Sequence, residues 1–516
     1  MTIVERLASW AARLGSSHIP ADVTELARSQ RRSVLGAIAA SMDDDATRRI
    51  MAAIEPNAPE GPSPLIGTDR GTDPASSVYA ATVASVALDF DDYVCFGHTG
   101  HSSVLVPLML SAQTGSSGTE QIVAQVAANE IEARLGGACL IGPLNGQMWS
   151  FIHSAGSAVA AGRLLGLDEK RMAHALALSL YQANRPTVPG FMAPDSKLLT
   201  IAEPAVLGMW CATLAENGVT GPLDVLDHRH GFFSAFSYAP IRGLFDGLGT
   251  GWATKTLCVK DYPGCAYIDT TVDALLEMQL PDPDAIDRID VHAGLLTCGM
   301  DRMSEPYQGG VPTPVTINFS IPWNVAIVLL AKRLTPDEVN SGWLNENAAE
   351  LRRIAARVHL HHDWDETLLG LKRMTGLLPP GPIQAEIGRL PLIRALRRAR
   401  SDHPRVPLHG KDLRRLPGLV RNRRKSDGPD GYWNEAALDA FQMTFPSRVD
   451  VHLTDGTTRS NRVEIPRGGA GHPQRSPHAV AADKLTAWGP KLWSDVDTIH
   501  KAISEDADDV HALLRS

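Results

Sequence analysis

The chain has 516 residues, of which 44% are hydrophobic and 21% charged. That much apolar surface offsets the ordering entropy of folding and excludes wholesale disorder. A net charge of −9 and a pI near 6.1 give no general attraction to nucleic acid or to an anionic membrane. No run of about 18 consecutive apolar residues occurs, so no membrane-spanning helix is predicted. The first fifteen residues are amphipathic and carry Glu5, unlike a secretory leader. The expectation is a cytoplasmic protein with no nucleic-acid and no membrane partner. Six cysteines, with no C-x-x-C pair, read as small buried hydrophobes in a reducing compartment and not as metal or disulfide frameworks.

In chain order, Val4, Leu7, Trp10, Ala11 and Leu14 share one face at the helical period. Pro20 suits the start of a second helix over 21–41. Ala/Leu-rich helices are predicted over 76–90, 121–135, 153–166, 169–183 and 203–217, separated by Gly/Pro breaks at 61–74, 141–146, 186–194 and 218–222. The small residues of 154–162 (SAGSAVAAG) predict a central helix that lets neighbouring backbones approach closely. After about residue 257 the period changes. Residues 286–293 alternate as a strand, 354–361 read as another, and 449–465 read as a hairpin around Asp455-Gly456, both of which tolerate positive φ. Residues 476–515 return to helical character.

The fold class expected is therefore mainly α with a smaller α+β domain. It divides into a helical domain over 1–257, an α+β domain over 258–469 with a basic insertion at about 362–430, and a helical return over 470–516. The stretch 389–425 holds thirteen Arg/Lys against two Asp, a local charge of +11 that leaves −20 for the rest. It reads as a solvated insertion or as a docking surface for an acidic partner or another subunit. Without interleaved aromatic residues it does not read as a nucleic-acid site.

The richest polar cluster runs Leu88-Asp89-Phe90-Asp91-Asp92-Tyr93 and then Gly97-His98-Thr99-Gly100-His101-Ser102-Ser103. Carboxylate–imidazole pairing fixes a tautomer and suits proton transfer near pH 7. Helix capping is the plainer alternative, and a metal held by His98, His101 and Asp91 or Asp92 is a third. His153 opens the small-residue helix, where a satisfied core histidine is the plain reading. Lys197 and Lys260 are either surface lysines or point charges for a substrate carboxylate. Gly247-Leu-Gly249-Thr-Gly251 lacks the strand and third glycine of a dinucleotide loop. His359, His361 and His362 with Asp363, Asp365 and Glu366 offer a metal cluster, since His359 and His361 share a strand face, and more plainly read as a strand running into a polar turn.

Taken together these segments resemble the MmgE/PrpD family, which includes 2-methylcitrate dehydratase, cis-aconitate decarboxylase and iminodisuccinate epimerase. Leu7-Ala-Ser-Trp-Ala with Ile19-Pro20 is similar to the family's opening helices. Leu88-Asp89-Phe90-Asp91-Asp92 with His101-Ser-Ser-Val-Leu-Val-Pro107 is similar to its D-[YF]-D-D … H-P-S signature. Phe151-Ile-His153, Ser196-Lys197, Lys260-Asp-Tyr262-Pro263-Gly-Cys265 and Asn318-Phe319-Ser320 match further segments, over about 1–335 and 440–490. The resemblance implies a large all-helical domain, an α+β lid with a cleft between them, and a homodimer. It implies a lyase that dehydrates or decarboxylates a small carboxylate without metal or cofactor, or a related isomerase or epimerase. By that carry-over His101 is the leading acid/base, with Asp89 orienting it or sharing its proton. His153, Lys197 and Lys260 would hold substrate carboxylates, His153 and Lys260 being counted with the catalytic group.

The chain departs from the family pattern at several points. Tyr93 replaces a small Thr, and two extra residues precede His101. Thr200, Asp269 and Trp323 stand where His, His and Tyr are usual. Gaining Asp269 in place of a histidine makes a tricarboxylate a poorer guest, so a less charged or bulkier substrate is expected, lined by Tyr93, Asp269, Trp323 and Cys265. The reading from a different class is a scaffold that has lost activity and binds an acidic partner through 389–425.

Overall fold

The computed structural model describes residues 1–95, 97–143, 150–402 and 432–515. The chain forms two compact units, Met1–Val259 with Pro477–Ser516, and Lys260–Ser476.

The first unit is helical. Thr2 and Glu5 form a capping box that starts the helix Ile3–Arg13, and Pro20 precedes the helix Ala21–Ser41. The helices Pro74–Val86, Gly118–Ala138 and Glu169–Leu180 begin on Asp73, Ser117 and Asp168, whose side chains accept backbone N–H groups of the first turn. Each such cap contributes about 1 kcal/mol. The helix Ser150–Leu164 is buried from Ser150 to Gly162 and packs on Gly118–Ala138 and Leu199–Glu216. Its small residues serve close approach: a Cβ added at Gly208 of Leu199–Glu216 would lie 2.3 Å from the Ser154 carbonyl oxygen. The C-terminal helix Pro477–Trp488 packs on Ala21–Ser41, where a Cβ at Gly36 would lie 2.7 Å from Lys484 Cγ, and also on the strand Cys258–Val259.

The boundaries move slightly from those expected. Cys258–Val259 pair antiparallel with Asp92–Tyr93, which keeps them in the helical unit. The segment up to Ser476 stays with the second unit, where the Met443 N–H donates to the Ala470 carbonyl and Gly468 N–H to the Arg475 carbonyl. The break at 186–194 holds a short helix, Val188–Met192. The apolar stretch Asp195–Glu216 is long and apolar enough to cross a membrane by length and composition, and 56% of its window is buried inside the fold.

The second unit is built on a four-stranded sheet in the order 358–362, 286–293, 447–453, 458–463, parallel at the first pair and antiparallel afterwards. Ile289, Val291, Val449 and Val451 face the core. The strand expected over 354–361 is Val358–His362, because 354–355 complete the helix Ser341–Ala355. In the hairpin, Gly456 takes φ +86° while Asp455 does not take positive φ. The Gly456 N–H donates to Leu453 and the Leu453 N–H to Thr457, a wider turn than the two-residue one expected. Arg389–Asp402 of the basic stretch is a helix, and its remainder beyond 402 lies outside the described residues.

Candidate active site

The polar cluster sits where Pro74–Val86 gives way to a turn. Asp89 adopts φ +47°, in the left-handed region that Asp visits more readily than most residues, at a cost of about 1 kcal/mol. The turn is held from the C-terminal return: Lys484 Nζ donates to the carbonyls of Phe90 (2.9 Å) and Asp91 (3.3 Å) and lies 4.0 Å from the Phe90 ring centroid. Gly100 starts the short helix Gly100–Ser103 against Asp92, whose Oδ1 a Cβ would meet at 2.1 Å.

Two imidazoles converge on Asp91. Its Oδ2 lies 2.6 Å from His98 Nδ1 and 3.0 Å from His101 Nε2. His101 Nδ1 lies 2.7 Å from Ser85 Oγ. Asp91 and His101 are buried, whereas the His98 side chain keeps 31% of its exposure. Despite the close approach, His101 Nε2 makes no aligned hydrogen bond among the described residues. A carboxylate at this distance favours a hydrogen on Nε2.

A second line runs beside the first. The His153 ring centre is 6.1 Å from that of His101, and its Nδ1 lies 2.7 Å from Ser102 Oγ, which is 2.8 Å from Glu132 Oε1. Burial drives His153 well below the usual histidine range, reinforced by His101 and His98, so the ring is neutral. Burial drives Glu132 well above the carboxylate range, and the Asp92 charge adds to this. Asp92 is pushed up to about 6 by burial and by Asp91, against the opposing hydrogen bond from Gln30 Nε2 at 2.7 Å. Gln30 also reaches Thr99 and Asn129, which closes a buried amide network around the turn.

The residues expected at the site are all buried. The resemblance gave the place beside His101 to Asp89, whereas the carboxylate at His101 Nε2 is Asp91. Asp89 Oδ1 lies 2.9 Å from Lys197 Nζ. Tyr93 stands near His98, with ring centres 6.2 Å apart. Lys260, Cys265, Asp269 and Trp323 belong to the second unit. There the Cys265 N–H donates to the Asn318 carbonyl, Asp269 opens the helix Asp269–Leu276, and the Arg352 guanidinium lies 6.0 Å from the Trp323 ring. Sequence reasoning missed Ser85, Glu132 and Lys484, and it quoted Ser102 without giving it a role. One signal was available: Glu130, Glu132 and Arg134 place three charges within five residues of the buried helix Gly118–Ala138. Glu130 is spent on structure, accepting the Ala253 and Thr254 N–H groups.

Asp91, His98 and His101 are grouped closely enough to hold a metal ion, each offering one atom within 4.8 Å of the others. In this structure Asp91 Oδ2 and His98 Nδ1 lie 2.6 Å apart as a direct hydrogen bond.

Comparison with known proteins agrees with the helical unit. Residues 5–241 match the model of the MmgE/PrpD N-terminal domain. A cis-aconitate decarboxylase-like protein, oryM, of Aspergillus oryzae is 26% identical over 317 residues, covering 56% of this chain and 64% of that protein. The cis-aconitate decarboxylase of Aspergillus terreus is 25% identical over 314 residues, 56% of this chain and 62% of that enzyme. The chain thus spans less than two thirds of the length of these relatives. The matched segment, residues 5–241, lies within the helical unit and includes the buried Asp/His turn.

Proposed function

We propose that the chain is a lyase that dehydrates or decarboxylates a small carboxylate substrate by proton transfer, without metal or organic cofactor. The observation that carries this reading is the buried Asp91–His101 contact, with Asp91 Oδ2 3.0 Å from His101 Nε2. His101 is the acid/base that moves the proton, and Asp91 holds its charge and orientation. Lys197 supplies positive charge for the substrate carboxylate and for the enolate-like species that follows. The decarboxylase names of the relatives support the same class. An isomerase or epimerase would share the first proton abstraction.

The test is a screen of purified protein against di- and tricarboxylates and their hydroxy derivatives, following hydration, decarboxylation and solvent-deuterium exchange. Turnover that falls by roughly a hundredfold or more in a folded His101→Ala variant is expected. Full activity in that variant overturns the assignment. Chelators are expected to leave turnover unchanged, and loss with EDTA restored by a divalent metal would instead install Asp91, His98 and His101 as ligands.

A second reading draws on the helix Arg389–Asp402. It presents Leu390, Ile393 and Leu396 to solvent beside Arg389, Arg394, Arg397, Arg398 and Arg400. Such a face suits an acidic protein partner, whether or not the chain also turns over substrate. Deleting 389–425 should abolish capture of that partner and leave the fold. Loss of folding on deletion would make the segment structural.

A further inference from the structure

Hydrogen counting around Ser102 leads to a role for a residue outside the expected site. Ser102 Oγ carries one hydrogen, yet it lies 2.8 Å from Glu132 Oε1, 2.7 Å from His153 Nδ1 and 3.3 Å from the Thr99 carbonyl. A hydroxyl cannot donate to all three, so Glu132 or His153 must bring a hydrogen of its own. Glu132 is fully buried, and its Oε2 has no hydrogen-bond partner among the described residues. An ionised carboxylate with one oxygen orphaned in this way is costly, and a neutral carboxyl much less so. The pocket is cut for that side chain: a Cβ at Gly156 would fall 1.6 Å from Glu132 Oε1.

We propose that Glu132 is the proton store of the site, feeding His153 through Ser102. This rests on the lyase reading of the site and names the source of its second proton. In the loaded state Glu132 donates to Ser102 Oγ, Ser102 donates to His153 Nδ1, and His153 carries its hydrogen on Nε2. When Nε2 gives that hydrogen to the substrate, Nδ1 takes one from Ser102 and Ser102 takes one from Glu132. One proton leaves, the charge appears on Glu132, and the imidazole stays neutral throughout. Burial, which holds Glu132 well above and His153 well below their ordinary ranges, favours this route over an imidazolium. The charged and titratable groups facing the relay are Asp92 on the Glu132 side and His101, His98 and Asp91 on the His153 side. Glu132 is a positioning residue in this scheme, since it acts through Ser102 and His153.

The test uses the full chain and two readouts. Infrared titration should show a protonated carboxyl band at neutral pH that Glu132→Gln removes. In the kinetic assay Glu132→Gln should lower kcat by on the order of a hundredfold with KM changed by less than about twofold. The store works only while protonated, so wild-type kcat falls as pH rises through the Glu132 titration, and this alkaline limb should vanish in Glu132→Gln. Glu132→Asp should regain part of kcat. Gly156→Ala, which pushes Glu132 off Ser102 without altering it, should reproduce the kcat loss. Absence of the carboxyl band at neutral pH, or an unchanged kcat and alkaline limb in folded Glu132→Gln, overturns the proposal while leaving the lyase reading standing. A wild-type chain inert toward every carboxylate sinks the lyase reading, and the infrared band then decides by itself whether Glu132 stores a proton.

Discussion

Asp91 and Asp89 are two residues apart and do different work because Asp89 turns the backbone through a left-handed conformation. One carboxylate faces His101 and the other faces Lys197. The Lys197–Asp89 pair is buried, and removing one partner deprives the other of its ion pair in a desolvated place. Lys197→Met is expected to cost about 3–5 kcal/mol, read as a shifted urea midpoint at neutral pH, and adding Asp89→Asn, which removes the charge and still tolerates the left-handed backbone, should recover part of it. His153 contributes a pH dependence whose sign follows from its depressed titration. Above about 6.5 it is neutral in both folded and unfolded chains. Below that value the unfolded chain takes up a proton that the folded one refuses, so stability is lost as pH falls. His153→Gln should therefore show a smaller drop in urea midpoint than wild type between roughly pH 6.5 and 5.

At the scale of elements, the helices Ser150–Leu164 and Leu199–Glu216 meet through small side chains. Gly208→Ala places a methyl against backbone at Ser154 and should cost about 1–3 kcal/mol by overpacking, measured by chemical denaturation. The opposite side of Leu199–Glu216 leaves Trp210 and Leu214, one turn apart, exposed to solvent. The helix at 4–14 was legible in sequence because burial on one side imposes the 3.6-residue spacing, whereas 121–135 and 153–166, buried all round, were legible from their Ala-rich composition and the Gly/Pro breaks between segments. The hairpin was legible as well, though its turn is wider than Asp-Gly alone implies, since Gly456 takes the left-handed position and Asp455 does not. The start of the strand at 358 was misjudged because Ile354 is as apolar as a strand residue and still completes a helix.

For the whole molecule, the decisive feature is that the C-terminal segment returns to complete the first unit. Val480, Leu485, Ile499, Ile503 and Leu514 are buried there, and Lys484 grips the turn that carries Asp91. A chain ending at 476 should fail to unfold cooperatively. A chain in which 260–476 is replaced by a short Gly/Ser linker should keep the helical circular dichroism signal and a single unfolding transition, because Cys258–Val259 packs on the helix that begins at Pro477. Retained cooperative folding in the truncated chain would contradict this account. By itself the amino-acid order determined the helical first half, the change of period near 258, the late return to helix and the types of residue available for proton transfer. These follow from local periodicity and side-chain chemistry. Only the tertiary structure decided which carboxylate meets which imidazole. Ser85, Ser102, Glu132 and Lys484 come from separate helices, and their meeting depends on close packing at Gly36, Gly100 and Gly156, where the space left by a missing side chain has no local signature.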